Sequence, residues 1–167
     1  VGALTGLTST GNIDLDSDSG KLRLGDSQDL EIYHASNHSN IINKTGNLYI
    51  NASASDTSIV CKPNGAVELF YDNVKQINTT STGLTLGDNK RIDFGDGADL
   101  RIYHDGGNSW IKEAGTGALY IDTDGAAVKI TQGGASENMA VFNKDGAVEL
   151  YYDNSKKFAT KSNGAFV

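Results

Sequence analysis

The feature that most constrains this chain is an internal duplication written in short alternating segments. The run from Lys21 to Gly25, followed by Asp26, Asp29, Leu30, Ile32, Tyr33 and His34, returns 70 positions later as Arg91 to Gly95 with Asp96, Asp99, Leu100, Ile102, Tyr103 and His104. Gly46-Asn47-Leu48-Tyr49-Ile50 returns as Gly117-Ala118-Leu119-Tyr120-Ile121 at an offset of 71, and Asn64–Asn73 returns as Asp145–Asn154 at an offset of 81. Self-similarity of this kind marks a repeated supersecondary unit, and the growing offset places the added residues in loops, which tolerate insertion. The chain therefore divides into an entry strand segment at 1–20, a first β repeat unit at 21–89 and a second at 90–167.

Each unit contains a smaller echo. Leu30-Glu31-Ile32-Tyr33 matches Val67-Glu68-Leu69-Phe70, and Leu100-Arg101-Ile102-Tyr103 matches Val148-Glu149-Leu150-Tyr151. Apolar-polar-apolar-aromatic alternation predicts strands with one buried face. Residues two apart share a side, so Leu30 with Ile32, Val67 with Leu69, Leu100 with Ile102 and Val148 with Leu150 are expected to face a shared interior. Glu31, Glu68, Arg101 and Glu149 then lie on the opposite, solvent side, where Glu149→Gln should be nearly neutral.

Turn chemistry joins the strands. Asp72-Asn73 and Asp153-Asn154 put residues that tolerate positive φ between Val67–Tyr71 and Val74–Ile77, and between Val148–Tyr152 and Lys156–Ala159; both read as tight hairpins. Ala35–His38 and Asp105–Asn108 read as longer hairpin loops. The expectation is fifteen or more strands of 4 to 7 residues and no helix.

Leu, Ile, Val and Phe supply 38 of 167 residues, little above the roughly one fifth typical of disordered chains, so one chain has a thin core and many strand edges to cover. Wrapping three identical chains about one axis multiplies a narrow apolar stripe into a continuous core. A single-chain solenoid wants a more uniform coil length than these offsets allow. The fold class expected is all-β, an elongated, repetitive short-strand and β-hairpin fold forming an intertwined homotrimeric fibre, β-helix or β-prism in kind. The start at Val1 reads as that of an excised fragment.

A net charge of −7 with scattered Lys and Arg argues against nucleic acid as a partner and against membrane insertion. No stretch of 18 apolar residues occurs. One cysteine, Cys61, excludes a disulfide framework and a Cys-rich zinc site and reads as a small buried apolar residue. Asp14, Asp16 and Asp18 before Gly20 echo a calcium loop, but Leu15 lies inside it and Gly25 stands where a bidentate Glu belongs; a polar strand edge and turn is the expectation. His34, His38 and His104 could supply one metal ligand per chain around a threefold axis, yet His34 and His104 end matching strands, where an imidazole hydrogen-bonds to backbone. No Gly-x-Ser-x-Gly elbow appears. No catalytic residue, cofactor or metal is assigned.

Trp110 has no aromatic counterpart, since Asn40 holds its place in the first unit. A sole Trp between Ser109 and Ile111 on a strand is expected to fill a core or a trimer seam. The alternative is a stacking surface for a sugar ring, with Tyr103, His104 and Asp105 as the neighbouring candidate glycan contacts.

The runs Leu24–His34, Asp99–Gly106, Gly117–Ile121, Glu137–Phe142, Asn64–Asn73 and Asp145–Lys157 together resemble the repeats of tail fibre and structural proteins of marine phages, cyanophages included. The resemblance covers about residues 10–167. It implies a virion protein, part of a phage tail fibre that supports host attachment, with itself as homotrimer partner and other virion tail proteins as neighbours. It implies no catalytic site, and the expectation is that the chain is not an enzyme. A carbohydrate- or receptor-binding adhesive module, with a host cell-surface glycan as ligand, is the alternative function.

Overall fold

A computed structural model describes residues 9–12, 14, 17 and 19–166. The calcium-loop candidates Asp16 and Asp18, like most of the entry segment at 1–20, lie outside these residues. The described chain is all-β, with sixteen strands, no helix and four open sheets. Strands β1 (Lys21–Leu24), β2 (Leu30–Ala35) and β3 (His38–Asn43) form a three-stranded meander. A five-stranded meander follows: β4 (Leu48–Ser53), β5 (Asp56–Cys61), β6 (Val67–Tyr71), β7 (Val74–Thr80) and β8 (Gly83–Leu86). The pattern then repeats. Strands β9 (Arg91–Phe94), β10 (Leu100–His104) and β11 (Ser109–Glu113) make the second three-stranded sheet. Strands β12 (Ala127–Gln132), β13 (Glu137–Asn143), β14 (Val148–Tyr152), β15 (Ser155–Lys161) and β16 (Gly164–Phe166) make the second five-stranded sheet. By spatial proximity the chain forms two compact units, Val1–Ile92 with Ile102–Trp110, and Asp93–Arg101 with Ile111–Val167.

The duplication extends to single hydrogen bonds. Asp72 and Asn73 have φ of 49° and 58°, Asp153 and Asn154 of 50° and 55°, so both hairpins close through turns with two left-handed residues, whose twist matches that of the strands. Each turn asparagine also reaches sideways. Asn73 Oδ1 accepts from Thr57 N at 2.9 Å and its Nδ2 donates to Ser55 O at 2.9 Å; Asn154 Oδ1 accepts from Asn138 N at 3.0 Å and its Nδ2 donates to Ser136 O at 3.3 Å. One amide thereby ties the β6–β7 turn, or the β14–β15 turn, to the start of the strand two places back. Val67 N donates to Thr79 Oγ1 and Val148 N to Thr160 Oγ1, both at 2.9 Å.

Two local expectations change. The β2–β3 connection is only Ser36-Asn37, with Ala35 paired to His38, whereas Asp105–Asn108 does remain a four-residue loop. The segment matching β4 in sequence, Gly117–Ile121, is in no strand; β12 takes β4's place, with Val128 opposite Phe142 as Leu48 is opposite Cys61. Gly133 and Gly134, at φ of 61° and 67°, supply a short left-handed connection into β13. A sheet edge has room for one neighbour, and the segment joined by the shorter loop claims it. Leu119, Tyr120 and Ile121 are left exposed, Tyr120 at 86%.

Asn154→Ala should lower stability by about 1–2 kcal/mol, from left-handed strain on a β-carbon and loss of the amide bonds, and Asn154→Gly by less, since glycine keeps the φ and loses only the amide. Chemical denaturation of the two variants measures both; an Ala variant as stable as the parent would remove any role for this turn.

Candidate functional site

Strand alternation sorts every sheet into two unlike faces. In the first five-stranded sheet one cross-strand row reads Ile50, Ile59, Leu69, Ile77, Leu86, and the adjacent row on the other face reads Tyr49, Val60, Glu68, Asn78, Thr85. In the second, Ile130, Ala140, Leu150 and Phe158 line up on one face while Lys129, Val141, Glu149 and Ala159 line up on the other. The first three-stranded sheet places Leu22, Ile32 and Ile41 across from one another.

The carboxylate face is the one the chain buries itself. Glu31 is 6% and Glu68 8% exposed, whereas Leu69 is 43% and Leu150 46% exposed. The alternation is as the sequence predicts, but the glutamates are not surface residues. Glu31 receives Lys21 at 2.8 Å, Lys44 at 2.9 Å and Arg23 at 3.2 Å, and Lys21 also lies 4.1 Å above the Tyr33 ring. Glu68 is held by Lys62 at 2.9 Å and Lys75 at 3.4 Å. Glu149 accepts from Tyr151 Oη at 2.6 Å and from Lys156 at 3.0 Å. The lysine stems lie over the sheet and shut water out, and the hydrogen bonds from Lys21 and Lys44 hold the Glu31 carboxyl down at about 2, against 4.5 for the free group. Glu68 is shifted down too, chiefly by Lys62, and Glu149 chiefly by Tyr151. Expecting Glu149→Gln to be neutral is therefore corrected. At the fourth equivalent position Arg101 donates from Nε to Ala98 O at 2.9 Å.

The four glycan candidates divide between faces. Tyr103 and Trp110 stack with ring centroids 6.2 Å apart and planes 14° from parallel. Asp105 anchors them: its Oδ2 accepts from Trp110 Nε1 at 2.7 Å, and its Oδ1 accepts from Asn108 N at 2.7 Å and Gly107 N at 2.9 Å. These donors, that of Asn108 first, lower the Asp105 carboxyl to about 2. Trp110 is 42% exposed, so it fills no core within the chain. His104, one residue from Tyr103, points to the other side, where Nδ1 lies 3.1 Å from Ser109 Oγ; His34 repeats this with Ser39 at 3.2 Å and adds Ser36 O at 2.9 Å. Asp105 as the indole's anchor was not legible as such, although its absence at Ala35 was a signal. No group of three or more His, Cys, Asp or Glu fit to hold a metal occurs among the described residues. Cys61 is half-buried, in the aliphatic row with Leu48 and Val67.

Comparison with known proteins finds no matching family model, no matching curated protein and no matching solved structure.

Because its folded-state pKa lies below that of the free carboxyl, ionised Glu31 stabilises the fold above about pH 4.5 and that gain fades as pH falls towards about 2. Glu31→Gln should lower Tm at pH 7 and make the melt less dependent on pH between those values. Equal acid sensitivity in parent and variant, read by thermal melts across that range, would show that the cluster contributes nothing.

Proposed function

We propose that the chain is a structural segment of a phage tail fibre, shaft or distal part, that works as a homotrimer and supports host attachment without catalysing a reaction. The observation that carries this reading is the inverted burial of the sheets. Three of the four sheets hold a glutamate on one face with their own lysines, and their aliphatic face is left open to water: Leu22, Ile32 and Ile41, then Ile50, Val67 and Leu69, then Ile130, Phe142 and Leu150 are all exposed. Ile92, Ile102 and Ile111, the equivalents of Leu22, Ile32 and Ile41 at an offset of 70, are exposed as well.

Patches of this kind mark an interaction surface. Finishing the burial of one half-covered Leu or Ile is worth roughly 1 kcal/mol. The aliphatic side chains of the sheets together then offset the roughly 4–15 kcal/mol that association costs. Their geometry favours three copies over two. Along β6 and β14 the aliphatic part of the stripe is two side chains wide, Val67 with Leu69 and Val148 with Leu150, about 7 Å of strand, and ends on an exposed tyrosine, Tyr71 or Tyr152. A stripe so narrow suits convergence on an axis, while a flat two-sheet sandwich wants a broad face. The resemblance to marine phage fibre repeats supplies the biological setting, the virion, and its other tail proteins as further partners.

The purified chain should sediment near three times 17.6 kDa. Leu150→Asp should dissociate or strongly destabilise the assembly, because three carboxylates would share one apolar layer, while Ser162→Asp in the exposed β15–β16 turn should leave the mass unchanged. A folded monomer at micromolar concentration would overturn the reading.

A further inference from the structure

The two repeats differ at one place in a way that shaft geometry does not require. In the β2–β3 hairpin Tyr33 is paired with Asn40, and the strand ends on Ala35. In the β10–β11 hairpin the residues at the same offset are Tyr103, Trp110 and Asp105. Three side chains that are unremarkable one by one converge there: the indole lies nearly parallel to the phenol ring, and the carboxylate fixes the indole N–H at 2.7 Å. Both oxygens of Asp105 are engaged, Oδ1 by Gly107 N and Asn108 N and Oδ2 by Trp110. Its work is therefore to hold the ring. The loop beyond it is Gly106-Gly107, which puts no side chain over the indole.

We propose that the Tyr103–Trp110 pair is a binding platform for a neutral pyranose glycan, with Asp105 as its positioning residue. Trp110 shares its face with Tyr103, and by strand alternation Ile102 and Ile111 lie on the opposite face, so assembly through the aliphatic face leaves the platform outside. An indole left 42% exposed on a face that assembly does not cover is an apolar surface without a structural use. Its flat ring, locked by a hydrogen bond and a stacked neighbour, is the shape that the C–H face of a sugar packs against, and the locking lowers the ordering cost of binding. The ionised carboxylate at its edge and the net charge of −7 disfavour acidic polymers. This goes beyond the shaft reading and stands or falls separately from it.

Trp110 is the sole tryptophan, so intrinsic fluorescence reports on this one place. Acrylamide should quench the assembled protein readily; a shielded indole would overturn the proposal. Titration with neutral hexasaccharides of glucose and of galactose should give a saturable change in emission with at least one of them, and a hyaluronan hexasaccharide should give none. Affinity measured by calorimetry should fall about tenfold or more in Trp110→Ala, less in Trp110→Phe, and several-fold in Asp105→Asn, whose single remaining oxygen cannot serve both the ring and the loop, each variant keeping the parent's circular dichroism spectrum at the temperature of the titration. No response to the neutral sugars, a response confined to hyaluronan or to tetramethylammonium, or equal binding by Trp110→Ala would each overturn it. Sugar binding by a protein that sediments as a monomer would uphold the platform and overturn the trimer.

Discussion

The structure depends on where each sheet spends its charge. A glutamate flanked by apolar residues on a short strand has two ways to face, and here it faces inward, met by cations from neighbouring strands. Glu31 draws Lys21 and Arg23 from β1 and Lys44 from just after β3, so one carboxylate ties three segments of the sheet together. Removing one partner from such a cluster leaves a poorly solvated charge, which costs more than the pair contributes when intact. Lateral order within a sheet thus rests on ion pairs and turn amides, and the aliphatic residues are released for another purpose.

That division of labour explains how a chain with so few core formers can be ordered. Among the described residues the buried apolar side chains are only Val60, Ala140, Val141 and Ala159, all on central strands. Backbone ladders, left-handed Asn turns and side-chain hydrogen bonds such as Thr79 to Val67 do the local work. The hydrophobic contribution that a compact domain draws from its own interior is, on the proposed reading, drawn from copies of the chain.

Much of the local structure was legible. The hairpins around Asp72-Asn73 and Asp153-Asn154 follow from residue type and spacing, and the strands beginning at Val67, Leu100 and Val148 start where the alternation does. The pairing of Gly117–Ile121 was not legible, because strand propensity says nothing about competition for an edge, and that competition was settled by Gly133-Gly134. The burial of the glutamates was hidden for a related reason: alternation gives two faces but not which one the chain covers, and the cations that decide it come from the neighbouring strands and turns, whose register sets which of them reach the carboxylate. For the candidate site, Trp110 and Tyr103 stood out by repeat comparison, while their separation from His104 needed strand parity and the role of Asp105 needed the hydrogen bond itself.

The turn amides of Asn73 and Asn154 have a consequence for length. The bonds they make, like those of Thr79 and Thr160 and the cation clusters around Glu31 and Glu68, all close inside one repeat. A gene that duplicates or deletes a whole repeat therefore adds or removes a module whose side-chain ties are complete, while a backbone bond across the joint, from Asn89 N to His104 O at 2.8 Å, must be remade. On the proposed fibre reading, reach becomes a quantity that recombination can adjust in steps, while the chemistry inside each step is left untouched.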